Sequence, residues 1–441
     1  MTITLNLKPQ RNALLRGFDN EFHGLLEVKH TQQGQQNSPR KSLNLSIVLD
    51  RSGSMAGQPL FEAKQAAIMM VNKMRPSDQI SVVAYDDTAN LIVPSTPCSN
   101  KQDIITAIQN IHEGNLTNLH GGWIMGAEQV ATKKNVKSIN RVLLLSDGNA
   151  NVGLTDVSEL KNQCSRLAET NITTSTYGLG HSFNEELMVN IAGAGLGHSY
   201  YGQTSDDLMD PFNEEFETLL NTVATDLQVI SESPNNVDLE LMNNYNVVEN
   251  NPNQLRFKMP DLAENGEAWA LFKIKINLEH VRNQRLEVLR CNVSFRNNDG
   301  ELINKGPAKI ILDAVNQNAF SQISEDEKVR LRITEINVAR FQDRAREAAR
   351  VGDWALTEFF IREARREAKG NEWLNSVIDR LEVYAKDRQR ENFSKEALYS
   401  SDKMNKRLVS DDELNMNYSI DLESSKNAYL RRKVERGKRF S

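Results

Sequence analysis

Cysteine is scarce. The 441-residue chain has three, Cys98, Cys164 and Cys291, widely spaced and odd in number. Neither a disulfide framework nor a zinc site of close-spaced thiolates is suggested by them. Seven histidines are present, and none stands at a metal-ligand spacing from another. No stretch of about eighteen apolar residues occurs, which excludes a conventional membrane-spanning helix. The first residues, Met1-Thr2-Ile3-Thr4-Leu5-Asn6-Leu7-Lys8, alternate apolar and polar side chains and lack the continuous apolar core of a signal peptide. A cytoplasmic location is the expectation. A Gly-x-x-x-x-Gly-Lys-Ser/Thr loop is missing, and the run Tyr177-Gly178-Leu179-Gly180-His181 lacks a third glycine, so it reads as a turn. No repeat period is evident.

What is present fits an ordinary globular chain. Hydrophobic residues make up 39% and charged residues 25%, with a net charge of -6. The charge is uneven, because residues 320–441 hold 26 Lys/Arg against 23 Asp/Glu, which leaves the remainder near -9. The terminal run Arg431 to Arg439 is read as a solubilising or partner-binding tail. Nucleic acid is the disfavoured partner, since clustered charge alone is nonspecific.

The chain divides by pattern. Residues 1–42 contain two alternating segments, around Ile3/Leu5/Leu7 and Leu25/Val28, followed by a polar stretch from Thr31 to Ser42. Over residues 43–222 short apolar strands alternate with helices. The predicted strands are Leu45–Leu49, Ile80–Tyr85, Arg141–Ser146, Thr173–Gly178 and His198–Gly202. The predicted helices are Leu60–Met74, Lys101–Ile111, Asn118–Lys134, Val157–Thr170, Asn184–Ala192 and a long Asp206–Leu227. Such alternation predicts an α/β fold, a doubly wound, mostly parallel sheet. Residues 223–320 return to strands and predict a β-sandwich that the two N-terminal strands complete, with the α/β domain inserted in it or followed by it. Residues 321–398 show helical periodicity with dense charge and predict a hairpin or three-helix unit. Residues 399–441 are polar and end basic, and disorder is expected there.

One constellation carries chemistry. Asp50, Ser52 and Ser54 follow directly on the strand Leu45–Leu49, and in an open α/β sheet the carboxyl ends of the strands form the ligand crevice. Residues two apart in extended backbone project to one side. A carboxylate with two hydroxyls suits a hard divalent cation, Mg²⁺ or else Mn²⁺ or Ca²⁺, whereas zinc or copper would prefer His or Cys. Thr117 opens the helix at Asn118, and Asp147 ends the most apolar strand, so both add oxygen donors at the same crest. A lone Asp-x-Ser-x-Ser is weak evidence, because such residues also make turns and helix caps, and Ser54 could merely cap the helix near Pro59. The ordered recurrence of Thr117 and Asp147 at other strand ends is what argues against that. Asp86 and Asp87 read as a solvated turn, His120 as a solvated helix residue, and Trp123 and the Met69/Met70/Met74 group as packing.

The Asp-x-Ser-x-Ser loop, the later Thr and the later Asp-Gly together resemble the metal-ion-dependent adhesion site of the von Willebrand factor A family. The resemblance covers roughly residues 43–222 and includes prokaryotic members related to inter-alpha-trypsin-inhibitor heavy chains and calcium-activated chloride channel homologues. Supporting runs are Ile80 to Ala89, Asp147 to Gly153 and Ile191 to Gly197. It implies that Ser52, Ser54 and Thr117 touch the metal, that Asp50 and Asp147 act largely through water, and that an Asp or Glu of a partner protein completes the shell. The chain departs from the family at Leu116, where glycine is common before the threonine. A non-enzymatic, metal-dependent protein-binding module is therefore expected. The alternatives are a regulatory subunit of an ATP-driven or signalling assembly and a metal-dependent hydrolase, the latter lacking a His or Lys base beside Ser52 in the sequence.

Overall fold

The computed structural model describes residues 2–31, 40–147, 150–179, 184–202, 216, 218–277 and 285–406. It separates into two compact units. Of the described residues, the first gathers those within 2–31, 226–295 and 302–406; the second holds those within 40–225 together with 296–301.

The second unit is built on a six-stranded sheet. Its strands run in the spatial order Ala89–Pro97, Gln79–Tyr85, Ser42–Asp50, Ser138–Ser146, Thr173–Leu179, Leu196–Gly202. All pairs are parallel except that of Ala89–Pro97 with Gln79–Tyr85. The antiparallel edge was not predicted. It follows a tight return at Asp86–Thr88, and its prolines at 94 and 97 are tolerable because an edge strand need not donate on both sides. Strand order reverses at Ser42–Asp50, which has the second strand on one side and the later strands on the other, so the crevice opens at its carboxyl end.

Alternation along these strands builds two cores. Leu43, Leu45, Ile47 and Leu49 face the helix Gln58–Lys73 through Leu60, Ala63 and Met70, and the helix Lys101–Gln109 through Ile104 and Ile108. Ser46 and Val48 face the helix Leu119–Thr132 instead, where Gly126 lets the backbone approach: an added Cβ would stand 2.4 Å from Val48 Cγ2. Trp123 is buried as expected, its indole N–H donating to Thr174 Oγ1 at 3.1 Å.

In the first unit a four-stranded antiparallel sheet runs Thr2–Pro9, Asn20–Thr31, Glu267–Ile276, Val237–Leu241. The strand Asn20–Thr31 thus pairs with residues some 240 positions later, Leu25 opposite Leu271, and Thr2–Pro9 pairs with it on the other side. A seven-stranded sheet contains Asn246–Asn251, Gln254–Lys258, Thr222–Glu232, Arg285–Arg296, Leu302–Val315 and Leu14–Leu15, with Leu262–Ala263 beside it. The two sheets meet where Gly24 would bring a Cβ to 2.9 Å from Ile310 Cδ1, and where Phe257 and Phe272 pack edge to face with centroids 5.9 Å apart.

Two expectations are corrected. The predicted helix Asp206–Leu227 does not extend to Leu227: Thr222 onward is strand, and its β-branched residues and alternating burial, with Leu227, Val229 and Ser231 inward, favour the pleated sheet. Residues 203–215 lie outside the described set. The helical region holds four long helices rather than two or three, Glu327–Arg350, Trp354–Glu367, Glu372–Lys386 and Arg390–Lys406. The last continues past the expected end at 398, because Phe393, Ala397 and Met404 keep a buried stripe going. The predicted basic tail from Arg431 and Gly148 of the Asp147 loop fall outside the described residues, as do Gly180 and His181.

Candidate metal centre

Asp50 is the last residue of the central strand, and parallel register decides its neighbours. It pairs with Tyr85 on one side, and Leu49 pairs with Leu145 on the other, which brings Ser146 to the same level. Both side chains reach the carboxylate: Ser146 Oγ donates to Asp50 Oδ2 at 2.6 Å and the Tyr85 hydroxyl donates to the same oxygen at 3.2 Å. The Ser52 backbone N–H donates to Oδ1 at 2.9 Å. Asp50 is completely buried, and among the described residues no Lys or Arg contacts it. Burial pushes its carboxyl up to about 6; hydrogen bonds from Ser146 and Ser52 oppose this, and the charge of Asp147 adds to it.

The chain then turns through a short 3₁₀ segment, Gly53–Met55. Ser52 and Ser54 hydroxyls lie 3.2 Å apart, so the two-residue spacing does place them together. Ser54 is not a helix cap: the helix Gln58–Lys73 begins after Gly57, which takes a positive φ of 77°. Thr117 is buried just ahead of the helix cap Asn118, whose side chain accepts from Gly121 N. Its loop is stitched to the Asp50 loop by Gly53 N–H donating to Asn115 O at 2.8 Å and Gly114 N–H to Arg51 O at 2.6 Å. Asp147, nearly buried, is close enough to Asp50 to raise its proton affinity. The loops that carry the five predicted residues therefore meet at the carboxyl end of the sheet.

Several residues at this crest were missed from the sequence. Asp86 is buried and ion-paired with Arg51 at 2.8 Å, and it accepts from Thr88 N, so the solvated-turn reading is corrected. Asp87 accepts from Leu116 N–H at 2.6 Å, which fixes the loop before Thr117 and leaves the Leu116 side chain exposed. Asn151 receives the Thr117 N–H at 2.9 Å, and Asn151 N and Val152 N donate to Thr117 O. His120 is not merely solvated, since its Nε2 lies 2.8 Å from Gln163 Oε1. Asp86 and Asp87 carried a signal in their strand-end position; nothing local marked Tyr85, Ser146 or Asn151 as partners of Asp50 and Thr117.

The donor chemistry fits a hard divalent cation. Among the described residues the buried carboxylate has no cationic partner and is surrounded by hydroxyls, an oxygen-only set that such ions prefer. Among the described residues no three His, Cys, Asp or Glu side chains form an alternative metal cluster.

The sequence profile of the von Willebrand factor type A (VWA) domain matches residues 44–214. Residues 44–214 are similar to a VWA domain. Its relatives include the Escherichia coli K12 protein YfbK, 33% identical over 212 residues, a match covering 47% of this chain and 37% of that protein. Human inter-alpha-trypsin inhibitor heavy chain H3 is 24% identical over 220 residues, which cover 47% of this chain and 24% of the relative. The chain thus spans well under half the length of both. A solved VWA protein from Catenulispora acidiphila superposes with a TM-score of 0.70 at 16% identity, over 92% of this chain and 97% of that one. The ArnB paralog VWA2 from Sulfolobus acidocaldarius gives 0.63 at 17% identity, over 92% and 98%. The fold they share with this chain extends well beyond the VWA domain. VWA domains are commonly metal-dependent protein-interaction modules that bind a divalent cation. Among the described residues no helix is long and apolar enough to cross a membrane.

Proposed function

We propose that this chain is a non-enzymatic protein-binding module. Asp50, Ser52, Ser54, Thr117 and Asp147 hold Mg²⁺, or Mn²⁺ or Ca²⁺ in its place, and the cation accepts an Asp or Glu side chain of a partner protein. The observation that carries this reading is the buried Asp50 carboxylate, ringed by hydroxyl and amide donors and, among the described residues, without a cationic side chain. An external cation is the countercharge that such a group lacks. The cation would supply an electrophilic point for the incoming carboxylate; the chain's own residues supply a braced rim around it. Support for binding over hydrolysis is that the hydroxyl partner of Ser52 is Ser54, with no His or Lys base beside it among the described residues.

The proposal includes a cytoplasmic setting, with the three free, buried cysteines as support. Segment boundaries at 42/43, 222/223 and 320/321 belong to it as well; limited proteolysis would locate them. The test of function is capture of partners on the immobilised full chain. Wild type in Mg²⁺ retains a partner that EDTA and Asp50→Ala both release, while circular dichroism shows both proteins folded. Capture unchanged by EDTA would remove the metal from the account.

A further inference from the structure

We propose that Tyr85 and Ser146 decide which divalent cation Asp50 admits. This rests on the metal reading above and deepens it. A carboxylate oxygen has two lone pairs available to donors. At Asp50, Oδ2 already accepts two hydroxyls, Ser146 at 2.6 Å and Tyr85 at 3.2 Å, so both its places are taken. Oδ1 accepts one backbone N–H, from Ser52 at 2.9 Å, and the further donor to the carboxylate is the hydroxyl of Ser52, itself one of the residues that would hold the cation. The carboxylate can therefore meet a cation, or a water bound to it, through one oxygen and not through two.

That restriction separates ions of equal charge. Ca²⁺ takes six to eight oxygens and readily uses a carboxylate through both, whereas Mg²⁺ takes six in strict octahedral geometry with single contacts and retained waters. A pincer that closes Oδ2 removes a ligand from Ca²⁺ and nothing from Mg²⁺. Neither jaw can swing away easily. Ser146 is fully buried at the end of its strand. The Tyr85 ring is fully buried and packs under the helix Leu119–Thr132 at Gly122, where an added Cβ would lie only 2.3 Å from Cδ1. Gly122 thus makes the space that lets the phenol reach Asp50. Tyr85 and Ser146 are positioning residues in this account, because they act on the cation only through Asp50.

The test titrates the full chain with the chlorides of Mg²⁺, Mn²⁺ and Ca²⁺ by calorimetry. It compares wild type with Tyr85→Phe, Ser146→Ala, the double variant and Ser146→Thr, which keeps the hydroxyl. Wild type is expected to bind Mg²⁺ more tightly than Ca²⁺. The ratio of the Ca²⁺ to the Mg²⁺ Kd should fall about tenfold in each single hydroxyl deletion, the size of one charge-assisted hydrogen bond, and further in the double. Ser146→Thr should retain the wild-type ratio. Tyr85→Phe preserves the ring packing, so a thermal melt confirms its fold, and either single variant suffices if the double does not fold. A ratio unchanged by the deletions while Mg²⁺ still binds overturns the pincer and leaves the metal site standing. Absence of any divalent binding by wild type overturns both.

Discussion

Asp50 and Glu267 are both carboxylates taken out of water, and the protein treats them in opposite ways. Burial pushes both upward. At Glu267 the chain answers with cations: Lys328 Nζ at 2.6 Å, Lys29 Nζ at 3.1 Å and Arg332 Nη2 at 3.3 Å. Together they outweigh desolvation and hold its carboxyl below the usual range. Arg332 in turn pairs with Glu335 at 2.6 Å and lies over the Trp269 ring, 4.5 Å from its centroid. The network, which Glu27 joins through Lys328, pins the helix Glu327–Arg350 to the four-stranded sheet. At Asp50 the described residues answer only with hydroxyls and an amide, and the carboxyl stays high, at about 6. A self-neutralised buried charge is structural. One left without a countercharge among the described residues fits the proposal that a cation supplies it.

The comparison can be broken most severely at Arg332. Arg332→Met leaves Glu267 and Glu335 buried without their shared cation and should lower stability by about 3–5 kcal/mol. Urea unfolding would show the loss, and added Mg²⁺ should not reverse it; a loss below about 1 kcal/mol would count against the network.

Asp50→Asn should act with the opposite sign. In EDTA at pH 7 it relieves the cost of an ionised buried carboxylate, up to about 3 kcal/mol for a group raised from 3.8 to about 6. The sign follows from proton uptake. Between about pH 4 and 6 the folded metal-free protein binds more protons at Asp50 than the unfolded chain does, so this group's contribution worsens as pH rises through that window. Glu267, with its lowered carboxyl, contributes stability above its unfolded pKa and loses it as pH falls through the folded value. The stability difference between wild type and Asp50→Asn, followed from pH 4 to 7 in EDTA, isolates the first effect. A flat difference would refute it. Saturating Mg²⁺, at about a hundred times its Kd, should stabilise wild type by about 2.7 kcal/mol and leave Asp50→Asn unmoved.

Gly122→Ala forces a methyl against the Tyr85 ring and should cost about 1–3 kcal/mol. It should also weaken Mg²⁺ binding, since the phenol that positions Asp50 must shift. Smallest is Asn151→Ala, which deprives the Thr117 N–H of its acceptor and should cost about 1 kcal/mol in a thermal melt.

Much of the crest was legible in the sequence, and the illegible part had a common cause. Asp50, Ser52 and Ser54 are neighbours in the chain, so their spacing on a strand end speaks for itself. Thr117 and Asp147 were readable because each ends or begins an element with a clear pattern. Tyr85 and Ser146 are ordinary strand residues whose importance arises from register with Asp50. Asp86 and Asp87 looked like a turn, because nothing local announces that Arg51 and the Leu116 amide meet them. The strand Thr222–Glu232 was misread over its first six residues because a pattern of apolar residues alone separates helix from strand poorly.

By itself, then, the sequence determined the alternating α/β order, the strand-end loops and the oxygen-rich character of the candidate site. These follow from periodicity and side-chain chemistry, which are local. Only the tertiary structure decided that Oδ2 of Asp50 is closed by two hydroxyls while Glu267 is met by three cations. The partners there are 35 and 96 residues from Asp50, and 61 and 65 residues from Glu267 for Lys328 and Arg332. Parallel register and helix packing bring them within hydrogen-bond reach, and a charge buried at that range is governed by what touches it rather than by its sequence neighbours.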